Sequence, residues 1–148
     1  MAPSTDPAIV SLDATALAAA IDARTISCVA VMEAYLQQIE RFNPAVNAIV
    51  SMRPRADLLA EAAACDAELA AGRSRGWMHG FPQAIKDLAD CAGFATTKGS
   101  PVFKDTVAQS DAIFVARMRA AGSIFIGKTN TPEFGLGSHS FNPVFGAT

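Results

Sequence analysis

Histidine is scarce in this 148-residue sequence, and its two copies, His79 and His139, lie far apart. That spacing offers no recognisable metal-ligand set. Cysteine is scarce as well. Cys28, Cys65 and Cys91 are odd in number, widely spaced and without a CxxC pair. This argues against a metal knuckle or a disulfide framework and points to reduced thiols in the cytoplasm, buried as small apolar side chains. Neither sign of charge dominates: 12 Lys and Arg stand against 14 Asp and Glu, a net charge of -2. The electrostatic footprint of a direct nucleic-acid binder is therefore missing. Long apolar runs are missing too. The longest, around Ser123 to Ile126, is strand-sized, against the roughly 20 residues of a membrane span. Met1 to Thr15 contains Asp6, Asp13 and two prolines, with no basic start and no apolar centre, so it does not read as a secretory signal.

What is present is a globular composition, with 51% hydrophobic and 18% charged residues. It is too apolar for disorder and too mixed for a coiled coil or collagen. The length suits one domain or a piece of a larger one. Residues 1 to about 10 read as a loose lead-in. Leu12, Leu17 and Ile21 recur at helical spacing and predict a helix over Asp13 to Ala23. Ser27 is placed to cap a second helix, Cys28 to Phe42, which Asn43-Pro44 should end because Pro44 disfavours helical geometry in the residue before it. The alternation from Val46 to Met52 predicts a short strand. Arg55 to Ala71 reads as a third helix stopped by Gly72.

The texture changes after the polar turn Gly72 to Gly76. Pro82 to Asp87 reads as a strand ending at Lys86-Asp87, and Asp90 to Ser100 as a loop turning at Gly93 and Gly99. Ser110 or Asp111 should cap a helix that runs to Ala121 and closes at Gly122. Ser123 to Gly127 follows as a buried strand. Thr131-Pro132-Glu133 resembles a helix start, with Pro132 in the first helical position. From Gly135 onward no strong period remains. Helices alternating with short apolar strands define an α/β layer structure. The last residues, Asn142 to Thr148, have loop composition, which suggests part of a larger fold.

One nucleotide-binding pattern is present. Gly122, four residues, then Gly127-Lys128-Thr129 match the phosphate-loop spacing. Such a loop needs a strand before it, a helix straight after, and backbone amides free to wrap a phosphate. Here a helix precedes Gly122, Ser-Ile-Phe-Ile is suited to a buried strand, and Pro132 delays any helix. The nucleotide reading is therefore rejected. The stretch His79-Gly80-Phe81-Pro82-Gln83-Ala84-Ile85-Lys86-Asp87 is more suggestive. Lys86 ends an apolar strand, and composition leaves two readings open. It is either a lysine that snorkels to the surface or pairs with Asp87 or Asp90, or a buried neutral base.

Residues 79 to 148 resemble the amidase signature family. The resemblance rests on blocks in order: His79-Gly80-Phe81-Pro82 with Lys86-Asp87; Ala92-Gly93, Thr96-Thr97 and Gly99-Ser100; Ser110-Asp111-Ala112; Val115 to Gly122; Gly127-Lys128-Thr129-Asn130-Thr131-Pro132-Glu133-Phe134; and Asn142-Pro143 with Phe145-Gly146. Asn43-Pro44 and Asn47-Ala48 extend it less specifically to the front. The resemblance implies an incomplete α/β amidase domain over 1–148, with helices packed on a mixed β-sheet. Within it, 1–75 would be a mainly helical N-terminal region and 76–148 the start of the catalytic core. It implies a hydrolase with a serine, a second serine in a cis peptide, and a lysine, using neither metal nor cofactor and acting on a small-molecule amide. Lys86 matches the lysine.

The family's two serines follow the Asn142-Pro143…Phe145-Gly146 region and would lie past Thr148, as would the oxyanion-hole amides. Ser138 and Ser140 lack the glycine-serine context and are read as loop serines. The A subunit of a transfer-RNA-dependent amidotransferase and a non-catalytic remnant are the alternatives. A lysine base at neutral pH needs its pKa lowered by about three units, roughly 4 kcal/mol, by desolvation or nearby positive charge. Without the walls of the remaining fold, Lys86 is expected to be exposed and inert. His79 is read as structural, and His139 as a loop residue whose pairing with a serine lacks an acid. Asp87 should support the turn after Lys86, and Asn130 and Glu133 the turn after the last strand.

Overall fold

The computed structural model describes residues 9–148. Four helices, α1 (Ala14–Asp22), α2 (Cys28–Val46), α3 (Arg55–Ala70) and α4 (Ile113–Ala120), alternate with β1 (Ile49–Met52), β2 (Pro82–Lys86) and β3 (Ile124–Thr129). Two-residue strands β4 (Phe141–Asn142) and β5 (Gly146–Ala147) close the chain. Most of the expected lead-in lies outside the described residues, and Ile9–Ser11 is a single 3-10 turn. Among the described residues, no helix is long and apolar enough to cross a membrane. The chain divides into two compact units, each built from separated stretches of sequence. One takes residues up to Arg41, Pro54–Pro82 and Met118–Ile124. The other takes Phe42–Arg53, Gln83–Arg117 and Phe125–Thr148.

The first unit is helical. Asp13 caps α1 by accepting from the Ala16 amide at 2.8 Å, which satisfies one of the helix's orphan donors. Ser27 caps α2 as expected, its Oγ accepting from Ala30 N at 3.0 Å. The Asp66 carboxylate, on α3, takes the Cys28 and Val29 amides at 2.7 and 3.1 Å. Leu17, Ile21, Val31, Met32, Leu36, Leu58 and Ala62 are buried and make the core. Arg55 pairs with Glu33 and, at 2.8 Å, with Glu40. Cys28 and Cys65 are free thiols with no exposed surface. A hydrogen bond with Cys65, burial and the nearby Asp66 all push the Cys28 thiol upward, so no thiolate nucleophile is built at that position.

His79 is structural, as expected. Buried, it accepts the Arg75 amide on Nδ1 at 3.0 Å, and its Nε2 faces the Cys65 carbonyl at 2.9 Å. This arrangement suits a neutral ring with its proton on Nε2.

The sheet has the strand order β1-β3-β2. β1 and β3 are antiparallel, pairing Ser51 with Lys128 and Met52 with Gly127. Ile124 N donates to Phe81 O at one end of the β2–β3 pair and Asp87 N to Thr129 O at the other. The matching direction makes that pair parallel and the sheet mixed. Gly127 is needed by close approach. A Cβ there would collide with the Ser51 carbonyl oxygen and lie 3.1 Å from Met52 Cα, both backbone groups that cannot swing aside. Gly127→Ala is expected to cost about 1–3 kcal/mol, measured by urea unfolding of the full-length protein.

Three sequence expectations need correction. The helix α2 does not stop at Asn43-Pro44 but runs to Val46, with Pro44 inside its last turn. Asn43 makes this tolerable: its Oδ1 accepts from Ala48 N and Ile49 N at 2.9 and 2.8 Å, and its Nδ2 donates to Ile49 O at 2.8 Å. Asn47, at φ 49°, ends the helix, so Val46 is helical and the strand begins only at Ile49. Secondly, α4 starts at Ile113, not straight after Asp111, whose carboxylate accepts from Ala92 N at 2.7 Å. Thirdly, Pro132 opens no α-helix. Glu133–Gly135 is a 3-10 turn, because Phe134 is left-handed at φ 54° and its amide is bonded to Lys98 O.

Candidate active site

In β2 the burial alternates at its end. Ile85 is buried, Lys86 is exposed, and Asp87 is fully buried. Strand geometry thus turns successive side chains to opposite faces. The surface reading of Lys86 is the one observed in these residues, and among the described residues it pairs with neither Asp87 nor Asp90. The acidic side chain that follows it goes inward and meets Lys128.

Lys128, the penultimate residue of β3, has 0% of its side chain exposed. Its Nζ donates to the Ala89 carbonyl at 2.7 Å and to Thr96 Oγ1 at 3.0 Å, and lies 3.7 Å from Asp87 Oδ1. Asp87 is further held by Thr97, whose amide donates at 3.0 Å and whose hydroxyl donates to Oδ2. Burial pulls the Lys128 pKa below the usual lysine range, and the Asp87 carboxylate opposes that pull. Every polar group of the pair is thus partnered, the condition under which a buried charge pair is tolerated.

Asp87 therefore does more than support a turn. Lys128, read from sequence only as a member of the rejected phosphate loop, is the buried cation of the site. The rejection itself holds: α4 precedes Gly122, β3 follows it, and the Lys128 ammonium is already committed.

Asn130 fixes the chain after β3, as expected. Its Oδ1 accepts from Thr131 N and from Asn142 Nδ2, and its Nδ2 donates to Gly146 O and Thr148 Oγ1. Glu133 departs from the expectation: its side chain is exposed, and it joins the turn through its backbone carbonyl, which accepts from Leu136 N at 3.0 Å. Sequence reading missed Asn142 and Asn47 as partners of this turn. Asn142 Nδ2 also reaches Thr131 O at 2.8 Å, and Asn47 Nδ2 reaches Phe145 O and Ala147 O at 2.8 and 3.0 Å. Ser138 and His139 are exposed and line a cleft of about 480 Å³ with Pro132, Phe134, Leu136 and Phe141. Among the described residues, His139 is hydrogen-bonded to no serine or acid side chain.

This arrangement of β2, the turn after it and the neighbouring β3, with an exposed lysine ahead of a buried Asp–Lys pair, lies within a segment that a family model recognises. The Amidase family model matches residues 30–148, and the chain belongs to that family, the amidase signature enzymes. It is 38% identical to an acylamidase of Rhodococcus erythropolis, over 93% of this chain and 28% of that protein. It is 41% identical to the A chain of the glutamyl-tRNA(Gln) amidotransferase from Acidothermus cellulolyticus, over 91% of this chain and 26% of that protein. The native peptide amidase of Stenotrophomonas maltophilia superposes with a TM-score of 0.82 at 34% identity, covering 96% of this chain and 30% of that one. The chain thus spans under a third of the length of these relatives. The α/β expectation, helices with a mixed sheet in an amidase signature fold, is borne out.

Proposed function

We propose that the protein is an amidase that splits a carboxylic amide C–N bond to an acid and ammonia or an amine, with Lys86 as its base. One observation supports this most directly: Lys86 stands at the exposed end of β2, inside the family-matched segment, on a turn fastened by the buried Asp87–Lys128 pair. In the proposed reaction, neutral Lys86 accepts a proton from the bridging serine. That serine accepts the proton of the nucleophilic serine, which bonds to the amide carbon. The C–N bond breaks as the leaving nitrogen takes up a proton. Water then cleaves the acyl ester and restores the serine. Both serines are assigned by family resemblance to the segment that follows Phe145-Gly146, as are the backbone amides that hold the oxyanion. The substrate is a small-molecule amide, and no metal or cofactor is part of the proposal. Three free cysteines fit a cytoplasmic setting.

Because Lys86 is exposed among residues 9–148, residues 1–148 alone should not hydrolyse amides. Turnover by that segment, lost in Lys86→Ala, would sink this part of the proposal. The 41% identity to the A chain of an amidotransferase supports a second reading, ammonia release from glutamine for use by a partner protein. Ammonia assays of the full-length protein decide between them. Turnover of aliphatic or aryl amides without glutamine cleavage is expected, and glutamine as the preferred substrate would favour the second reading.

A further inference from the structure

The Asp87–Lys128 pair has no exposed surface and no step in the proposed reaction, yet its acid directly follows the proposed base. The backbone shows what the pair secures. Ala89 N donates to Lys86 O at 3.0 Å, closing the turn Lys86–Ala89. The Asp87 amide donates to Thr129 O, and the Lys98 amide donates to Asp87 O, each at 3.0 Å. Lys128 Nζ grips the other end of the same turn through Ala89 O at 2.7 Å and ties it to Thr96 Oγ1 at 3.0 Å. Two hydrogen bonds thus link the Lys128 ammonium, through the backbone of Ala89, to the Lys86 carbonyl. A second path runs through the Asp87 carboxylate, one residue along.

We infer that Lys128 is a positioning residue for Lys86, acting through Asp87 and the Ala89 carbonyl; this rests on the reading of Lys86 as the base. A lysine side chain has a long flexible stem, so a base built from it depends on a fixed Cα, and small misplacements of a reacting group are costly. An ammonium is suited to this task because it donates three ways, here to a carbonyl and a hydroxyl while facing a carboxylate. Methionine has similar length and fills the space but can do none of this.

The test compares Lys128→Met and Thr96→Val in the full-length protein at a temperature where both are folded. Lys128→Met is expected to lower kcat by about tenfold or more, with KM within about threefold, because the buried Lys128 side chain has no surface to offer a substrate. Thr96→Val removes one hydrogen bond to Nζ, keeps the side-chain shape, and should lower kcat in the same direction by about two- to fivefold. It decides the matter alone if Lys128→Met does not fold. An unchanged kcat in the folded variants, or a rise in KM with kcat intact, overturns the inference. Lys86→Met, run beside them, separates the two readings. If it retains turnover, the catalytic assignment fails; if it is dead while Lys128→Met and Thr96→Val are fully active, only the positioning role fails.

Discussion

Lys86→Met in the full-length protein is expected to lower amide turnover by about 10²- to 10⁴-fold, the range a positioned general base contributes. The same change should not lower the unfolding free energy by more than about 0.5 kcal/mol, because Lys86 is exposed in residues 9–148 and an amine desolvated by the rest of the fold adds nothing to stability that methionine would lose. The two measurements together make the prediction sharp. A fall in rate without a fall in stability marks a residue whose work is chemical. A parallel fall in both would make Lys86 a structural element, and preserved turnover would remove it from the mechanism. Methionine is preferred to alanine because it keeps the apolar stem while deleting the nitrogen.

Asp87→Ala is expected to do the opposite and strike stability first, by about 3–5 kcal/mol at neutral pH. It strands the Lys128 ammonium in a site with no exposed surface and takes the acceptor from the Thr97 amide and hydroxyl. The loss carries a pH signature whose sign follows from the depressed Lys128 pKa. Between that folded value and the ordinary lysine value, the unfolded chain binds more protons than the folded one, so the Lys128 contribution to stability rises with pH. Removing the carboxylate that opposes the burial effect lowers the folded value further and widens the window downward. The deficit of Asp87→Ala should therefore be larger at pH 7 than at pH 10, read by urea unfolding at both. A deficit that grows with pH would show that Lys128 is not the group left uncompensated.

Much of the fold was legible in the sequence because local signals agreed with the tertiary outcome. Asp13 and Ser27 cap the helices they precede, and the apolar run before Gly127 is a buried strand. The failures occur where a distant contact outweighs a local rule. Pro44 should have ended α2, but the Asn43 side chain secures three backbone groups of the following turn and holds residue 43 helical. Pro132 should have opened a helix, but the Phe134 amide is taken by Lys98 O.

The site divides in the same way. Lys86 was visible as a lysine closing an apolar strand. Lys128 was not, because a lysine in an apolar run becomes a buried ion pair only when a carboxylate on the neighbouring strand end faces it. Strand order is not written in the local pattern. Its one faint trace was the continuation of Ile-Phe-Ile-Gly into Lys-Thr without a turn residue.

The asparagine side chains that bind the last hairpin have a chemical consequence of their own. Asn47, Asn130 and Asn142 all present their amide nitrogens to oxygen atoms, mostly backbone carbonyls of the turn and hairpin. Conversion of any one to aspartate keeps its shape but turns a donor into an acceptor, setting oxygen against oxygen. Loss of ammonia from any of the three would therefore act on β4, β5 and the turn before them, loosening the clasp by the exchange of a single heavy atom.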